Sequence, residues 1–271
     1  MTADIQASQA NHRLSEEEFR HYRAQGFLVR ESQFDTPEVN SLLSAVEAAA
    51  ATALARSEDL ENARPYVLDG KRFVDLDHLT VQFEPPPFDP AIKVIEPVCE
   101  LHPRLDTLLD DPRLTDPIRG ILGSEAIGLW TNKLNLKRPR AGSGFGWHQD
   151  SPYWIHDCEH VDLLPNVMVV LDAASRVNGC FEVIRGSHRE GCLPGTDDGT
   201  QLGGFYTDPR RFDIASAVAL EVPAGSLVFF DPHIVHGSAP NTSDQPRRAL
   251  VITYQPADHP TLKSRRIHNI R

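Results

Sequence analysis

Residues 128–137 read GLWTNKLNLK, and this stretch decides the fold. Side chains along a β-strand alternate between two faces. Written as a strand, the stretch puts Trp130, Leu134 and Leu136 on one face and Thr131, Lys133, Asn135 and Lys137 on the other. That pattern predicts a half-buried strand, apolar on one side and polar on the other. Further short β-runs follow at regular spacing: GFGWHQD (144–150), NVMVVLDA (166–173), GCFEVIRGS (179–187), VALEVPAG (218–225), SLVFFD (226–231) and RRALVITYQP (247–256). Gly, Pro, Asn and Asp separate them. About seven or eight strands of this kind predict a sandwich or jelly roll.

Upstream of residue 124 the texture is different. Residues 1–13 are polar and unpatterned and read as a frayed tail. Ser15 and Glu18 have the spacing of a capping box, and Phe19 and Tyr22 share one helical face before Gly26. FLVRES (27–32) is a short strand candidate. Thr36-Pro37 opens a second helix whose apolar stripe is Val39, Leu42, Leu43 and Val46. Residues 60–90 are Pro-rich, with strand-like YVLDGKRFVDL (66–76), and a third helical stretch is expected over 89–110, packed on the outside. The layout is α+β: N-terminal helices flanking a β-rich catalytic core over 124–256, in one domain spanning 1–271.

Composition narrows the function. The 271 residues carry a net charge of −11 and no long basic run, which argues against nucleic acid and anionic membranes as partners. No apolar run reaches bilayer-spanning length, and the N-terminus has neither a secretory nor a transit pattern. The four cysteines, Cys99, Cys158, Cys180 and Cys192, lack C-x-x-C spacing and read as reduced, mostly buried thiols of a cytoplasmic protein. Nothing in the sequence speaks to oligomeric state.

The chemistry centres on GFGWHQDSPYW (144–154). His148 and Asp150 stand two apart and, on a strand, point to one face. DPHIVHGSAPN (231–241) supplies a second histidine, His236. Two histidines and a carboxylate form a facial triad suited to non-haem Fe(II), with coordination positions left open. An H-x-D pair alone is common, and a histidine hydrogen-bonded to a carboxylate is the bland reading. The balance shifts with the arginines eleven and twelve positions after His236. A 2-oxo acid needs a fixed cation for its far carboxylate, and arginine binds carboxylates bidentately while staying charged when buried. Arg247 shares a face with Ala249, Val251 and Thr253 and Arg248 points the other way, so one can face inward.

The motifs WHQD, NGCFEVIRGSH and HGSAPN, with the arginine eleven after the distal histidine, resemble the phytanoyl-CoA dioxygenase family, which includes the ectoine hydroxylases. EEEFRHYRAQGFLVRE (16–31) is similar to that family's N-terminal segment. The resemblance implies a double-stranded β-helix (a cupin-like jelly roll) and Fe(II), 2-oxoglutarate and O2 as cofactor and cosubstrates. It implies His148, Asp150 and His236 as iron ligands, Arg247 and Ser238 on the far carboxylate of 2-oxoglutarate, and Asn135 as a further cosubstrate contact. Trp154 matches a tryptophan near the family's site, although an aromatic there is as readily core. Lys133 shares the face of Asn135 and is positioned to meet a carboxylate. The implied activity is hydroxylation of an unactivated carbon of a small molecule, with release of succinate and CO2. An aspartate at the carboxylate position favours hydroxylation over chlorination, with desaturation and ring formation left open.

Other residues carry weaker expectations. His233 has the wrong parity for the His236 face and reads as outer-shell or surface. His188 reads as a turn or packing contact; His156 and His160 lie in a polar loop within reach of substrate, with a solvated loop the preferred reading. The Gly-rich insertion 190–213 is long enough for a lid, or equally for a disordered loop. Two rival classes remain: a cupin-type metal-dependent hydrolase or isomerase using the same ligands, and a non-catalytic jelly-roll protein that binds a small ligand.

Overall fold

The computed structural model describes residues 12–59, 61–196 and 199–271. Of the expected tail, residues 1–11 lie outside the described residues. Helix α1 (Glu16–Gln25) begins where Ser15 Oγ accepts from the Glu18 N–H and the Glu18 carboxylate accepts from the Ser15 N–H. Gly26, at φ 83°, closes it in the left-handed conformation that a side chain would disfavour. Strand β1 (Phe27–Arg30) follows. Helix α2 (Thr36–Ser57) repeats the capping device with Asp35 and Glu38, and buries Val39, Leu42 and Val46 as its stripe predicts.

The Pro-rich stretch is more regular than its sequence suggests. Strands β2 (Arg64–Leu68) and β3 (Lys71–Leu76) form a hairpin across Asp69-Gly70, both at positive φ, the pair that a two-residue hairpin turn demands. Strands β4 (Leu79–Phe83) and β5 (Ile92–Glu96) follow. The helix expected over 89–110 is therefore incorrect at its start. Ile92, Val94 and Ile95 favour extended backbone, and Pro90 and Pro97 bracket them. Helical turns come later, in α3 (Pro103–Asp106) and α4 (Pro112–Leu122).

The remaining elements are β6 (Ile127–Lys137), β7 (Phe145–His148), α5 (Ser151–Trp154), β8 (Asn166–Val170), β9 (Phe181–Val183), β10 (Val218–Leu220), β11 (Leu227–Phe230), β12 (His236–Ser238) and β13 (Arg247–Pro256). Nine strands make one antiparallel sheet in the order β1-β11-β8-β13-β6-β5-β4-β3-β2, and four make a second in the order β10-β9-β12-β7. The architecture is the expected α+β jelly roll, with one qualification. The large sheet also draws on strands before residue 124: β1 pairs with β11 and β5 with β6.

Alternation along the shared strands builds two cores. On β8, Val167 and Val169 face the helices with Leu42, Val46 and Leu108. Met168 and Val170 face the small sheet with Phe181, Val183 and Phe230. Strand β13 divides the same way, Leu250 and Ile252 outward to the helices, Ala249 and Val251 inward. Strand β6 corrects one expectation. Leu134 and Leu136 lie in the helix-side core, whereas Trp130 joins Trp154, Val161 and Leu164 in a separate cluster. The register against β13 shifts between Thr253 and Tyr254, opposite Thr131 and Leu129, so Trp130 sits at a bulge that reverses the alternation.

Candidate metal and cosubstrate site

The small sheet brings the two histidines together. His148 ends β7, His236 begins β12, and they are direct partners in the antiparallel register, with ring centroids 4.2 Å apart. Each Nδ1 lies within hydrogen-bonding distance of the carbonyl two residues earlier: His148 of Gly146 O at 2.7 Å, His236 of Ile234 O at 3.0 Å. A carbonyl only accepts, so Nδ1 must carry the proton in both rings and Nε2 is left with its lone pair. Burial lowers both imidazoles, and for His148 the neighbouring His236 adds to it, bringing it to about 3. Both rings are therefore neutral near pH 7, the form that ligates a metal.

Asp150 arrives by another route than the sequence suggests. It lies beyond the end of β7, in helical backbone at the N-terminus of α5, so the two-residue strand argument does not place it. The chain turns there because the Asp150 and Ser151 N–H groups both donate to Pro232 O, at 3.1 and 3.0 Å. Gln149, between His148 and Asp150, fixes the turn from the opposite side. Its amide donates to Gly191 O and His233 O and accepts from the Leu193 N–H. The outcome is a buried constellation in which one ligand atom each of His148, Asp150 and His236 lies within 4.8 Å of the others.

The donor set fits a divalent metal. Asp150 Oδ1 accepts from Lys133 Nζ at 3.2 Å, while Oδ2 is buried with no hydrogen-bond partner. A buried unpartnered carboxylate oxygen in a cluster with two neutral imidazoles needs a positive charge. Burial pushes the Asp150 carboxyl up, but Lys133 and the histidines outweigh it and hold it below the usual carboxylate range. Two nitrogens and one oxygen on one side are the set that non-haem Fe(II) accepts with positions to spare.

These residues open into a cavity of about 460 Å³ between the sheets. Arg247 lies along it, buried, its Nε and NH2 donating to Gly179 O at 3.1 and 2.6 Å. Burial lowers the guanidinium to about 10 and leaves it charged near pH 7. Arg248 faces the helices and pairs with Asp172 and Glu47. The structure thus separates the two arginines as alternation requires, and Arg247 is the inward one. Ser238 and Asn135 line the same cavity. Asn135 Oδ1 is buried without a partner, and Ser238 Oγ accepts from Lys137 Nζ at 2.8 Å. Lys133 does meet a carboxylate, the protein's own Asp150. Trp154 borders the cavity while packing edge-on against Trp130, 6.4 Å between centroids.

Among the lesser candidates, His233 is buried, not on the surface, with Nδ1 2.8 Å from Ser151 Oγ and Nε2 2.7 Å from Asp162. It braces the turn carrying Asp150. His188 makes the expected packing contact, to Arg23 O. His156 is exposed. His160 is not in a solvated loop: it hydrogen-bonds Gln255 and lies against His259. The insertion folds over the cavity. Phe205 stacks on Tyr153 at 4.5 Å, Leu202 and Tyr206 line the cavity, and Asp69 of the β2–β3 turn accepts from the Gln201 and Leu202 N–H groups. Within the insertion, Asp197 and Asp198 lie outside the described residues.

Sequence reasoning missed the anchoring roles of Gln149, Gly179 and Lys137. Lys137 sat on the polar face of its strand, and Asn178-Gly179 is a turn signal, so two of the three left a trace.

The phytanoyl-CoA dioxygenase (PhyH) profile matches residues 22–249. The chain belongs to the phytanoyl-CoA dioxygenase family. Among its relatives, a 2-aminoethylphosphonate dioxygenase from the uncultured bacterium HF130_AEPn_1 is 31% identical over 160 residues, 59% of this chain and 57% of the relative. That match spans little more than half of the relative's length. An ectoine dioxygenase of Bordetella bronchiseptica is 28% identical over 261 residues, 89% of this chain and 75% of the relative. In fold, the crystal structure of EctD from S. alaskensis with 2-oxoglutarate and 5-hydroxyectoine is similar, with a TM-score of 0.68 at 23% identity, covering 94% of this chain and 78% of that one. The phytanoyl-CoA dioxygenase family consists of Fe(II)- and 2-oxoglutarate-dependent oxygenases, and the donor set described above fits that requirement. No helix among the described residues is long and apolar enough to cross a membrane. All four cysteines are free, Cys99 and Cys180 buried, the other two half-buried.

Proposed function

We propose that this family member is an Fe(II)- and 2-oxoglutarate-dependent hydroxylase acting on an unactivated carbon of a small molecule, with the whole chain serving as one catalytic unit. The observation that carries the reading is the buried cluster of His148, Asp150 and His236 ligand atoms within 4.8 Å of one another, with one Asp150 oxygen unpartnered, in a cavity that also holds a buried arginine. His148, Asp150 and His236 would hold the iron. Arg247 would bind the far carboxylate of 2-oxoglutarate, with Ser238 beside it and the Asn135 amide available to the same ligand. Bound together, iron and 2-oxoglutarate supply the oxidation of a substrate carbon by O2, coupled to formation of succinate and CO2.

The protein's part is orientation and exclusion of water. Lys133 holds one oxygen of Asp150 and leaves the other available to a metal. The stacked Tyr153 and Phe205, with Leu202 and Tyr206, close the cavity over the substrate. Trp154 and Lys133 border the space left for it. The printed activities of the relatives, on ectoine and on a phosphonate, support a small molecule as substrate. Free cysteines support a reducing, cytoplasmic location, and the net charge of −11 supports the absence of nucleic-acid partners.

The test is an anaerobic titration of metal-free protein with Fe(II) and 2-oxoglutarate, following the weak visible charge-transfer band of the chelate. The expected result is a band in the wild type that His236→Ala abolishes. Bound iron without a band would transfer the chain to the cupin-type hydrolases or isomerases. Binding of both without succinate formation on any substrate would leave a non-catalytic binding protein.

A further inference from the structure

Three cations are buried together at the Arg247 end of the cavity. Lys137 has no exposed surface. Its Nζ donates to Ser238 Oγ at 2.8 Å, to Gly179 O at 3.3 Å and to Ala239 O. Gly179 O is also the acceptor for Arg247, so a single carbonyl bridges the ammonium and the guanidinium. Lys93, 5% exposed, stands over one face of Phe145 at 4.3 Å, and Lys137 lies 5.6 Å from the same ring. The facing acid is Glu84, whose carboxylate accepts from the Ser143 N–H.

Like charges gathered away from water are costly unless an anion joins them. Three buried cations face one buried carboxylate here, and that carboxylate is engaged with a backbone N–H. The cluster therefore holds more basic groups than acids, and Lys137 directs its Nζ at Ser238. Burial, with Arg247 and Lys93 adding to it, lowers the Lys137 ammonium to about 6, so an anion bound beside Ser238 would favour its charged form.

We propose that Lys137 is the second cation of the cosubstrate subsite: acting through Ser238 and across a short distance, it joins Arg247 in selecting a 2-oxo acid that carries a distal carboxylate. The inference rests on the 2-oxoglutarate reading above and deepens it. Arg247 is the direct contact. Lys137 is a positioning residue that orients Ser238 and Gly179 and adds charge where the ligand's second carboxylate lies. Low polarity between the groups is what lets an ammonium one residue removed matter.

The test compares two probes on the Fe(II)-loaded full chain under anaerobic conditions, 2-oxoglutarate and 2-oxovalerate. They share the chelating end and the five-carbon length, and 2-oxovalerate lacks the distal carboxylate. Dissociation constants come from the charge-transfer band, or from calorimetry. Lys137→Gln is expected to weaken 2-oxoglutarate roughly tenfold and to leave 2-oxovalerate unchanged. Lys137→Arg, which keeps the charge, is expected to preserve the preference for 2-oxoglutarate. It also serves as the interpretable variant if Lys137→Gln fails to fold. Equal losses for both acids in Lys137→Gln, or no loss for either, would overturn the inference, because a merely structural lysine does not distinguish ligands by their far end. So would loss of the preference in a folded Lys137→Arg. If wild-type protein binds Fe(II) but shows no affinity for 2-oxoglutarate, the cosubstrate reading itself fails and this inference falls with it.

Discussion

Adjacent residues of opposite destiny give the sharpest contrast at the scale of single side chains. Arg247 and Arg248 follow one another on β13, one buried in the cavity and the other tied to Asp172 and Glu47. Arg247→Ala is expected to weaken 2-oxoglutarate by about a hundredfold with little change in melting temperature. Arg248→Ala is expected to leave cosubstrate affinity intact and cost about 2 kcal/mol of stability, measured by denaturant unfolding. The opposite pattern would reverse the assignment. Gly179 makes a second case. It lies at φ 74°, and a Cβ there would come within 2.1 Å of Ala239 O and 2.7 Å of Lys137 Nζ. Gly179→Ala is expected to move the carbonyl that holds both cations, and so to weaken 2-oxoglutarate binding while Fe(II) affinity persists. The sequence made Arg247 legible because strand alternation is a local rule. It hid Asp150's true setting and Lys137's role, since a turn pinned by Pro232 O and a lysine bonded to residues some hundred positions away are long-range facts.

Elements carry the next level of argument. The segment over the cavity is held by Phe205 stacked on Tyr153, by the Gln201 and Leu202 N–H groups donating to Asp69, by Lys71 Nζ donating to Tyr206 Oη, and by the Thr207 N–H donating to Trp147 O. Such segments open locally at low free energy. Asp69→Ala is expected to speed amide exchange at residues 201–206 and to leave β8 and β13 unaltered. If exchange there stays as in the wild type, Asp69 is not the fastening. The jelly roll was legible because short alternating runs bounded by turn residues leave few other packings. The strand β5 was not, because an apolar run between prolines has no period of its own to separate it from a buried helix. The bulge at Trp130 was equally hidden, since it arises from the register of β6 against β13, not from any residue of β6.

For the molecule as a whole, the buried lysines set the response to pH. Lys93 is lowered to about 8 and Lys137 to about 6, in both cases chiefly by burial; the groups facing them are Arg247, Glu84, Lys71 and Cys180. Unfolded, both lysines bind a proton up to their ordinary value of 10.5. Above pH 6 the unfolded chain therefore holds more protons than the native one, and stability from this source rises with pH. The expected result is a melting temperature that climbs between pH 6 and pH 9 relative to Lys137→Met, which removes one titrating group. Cosubstrate has the reverse dependence. The ammonium form of Lys137 binds it better, so affinity for 2-oxoglutarate falls as pH rises above 6. A pH-independent dissociation constant from pH 6 to pH 9 would contradict the placing of Lys137.

The pairing of β1 with β11 also bears on how the chain is made. Phe27 lies opposite Phe230, so β1 waits for roughly two hundred further residues before its partner exists. Through most of synthesis its hydrogen-bonding edge is open to any other strand, including one from a neighbouring nascent chain. The proposed iron ligands share this delay, because His236 emerges six residues after β11 ends. The growing polypeptide therefore cannot gather its three candidate ligands until β11 has been made, with β13, the strand between β8 and β6, still to follow, so metal loading would wait on most of the chain.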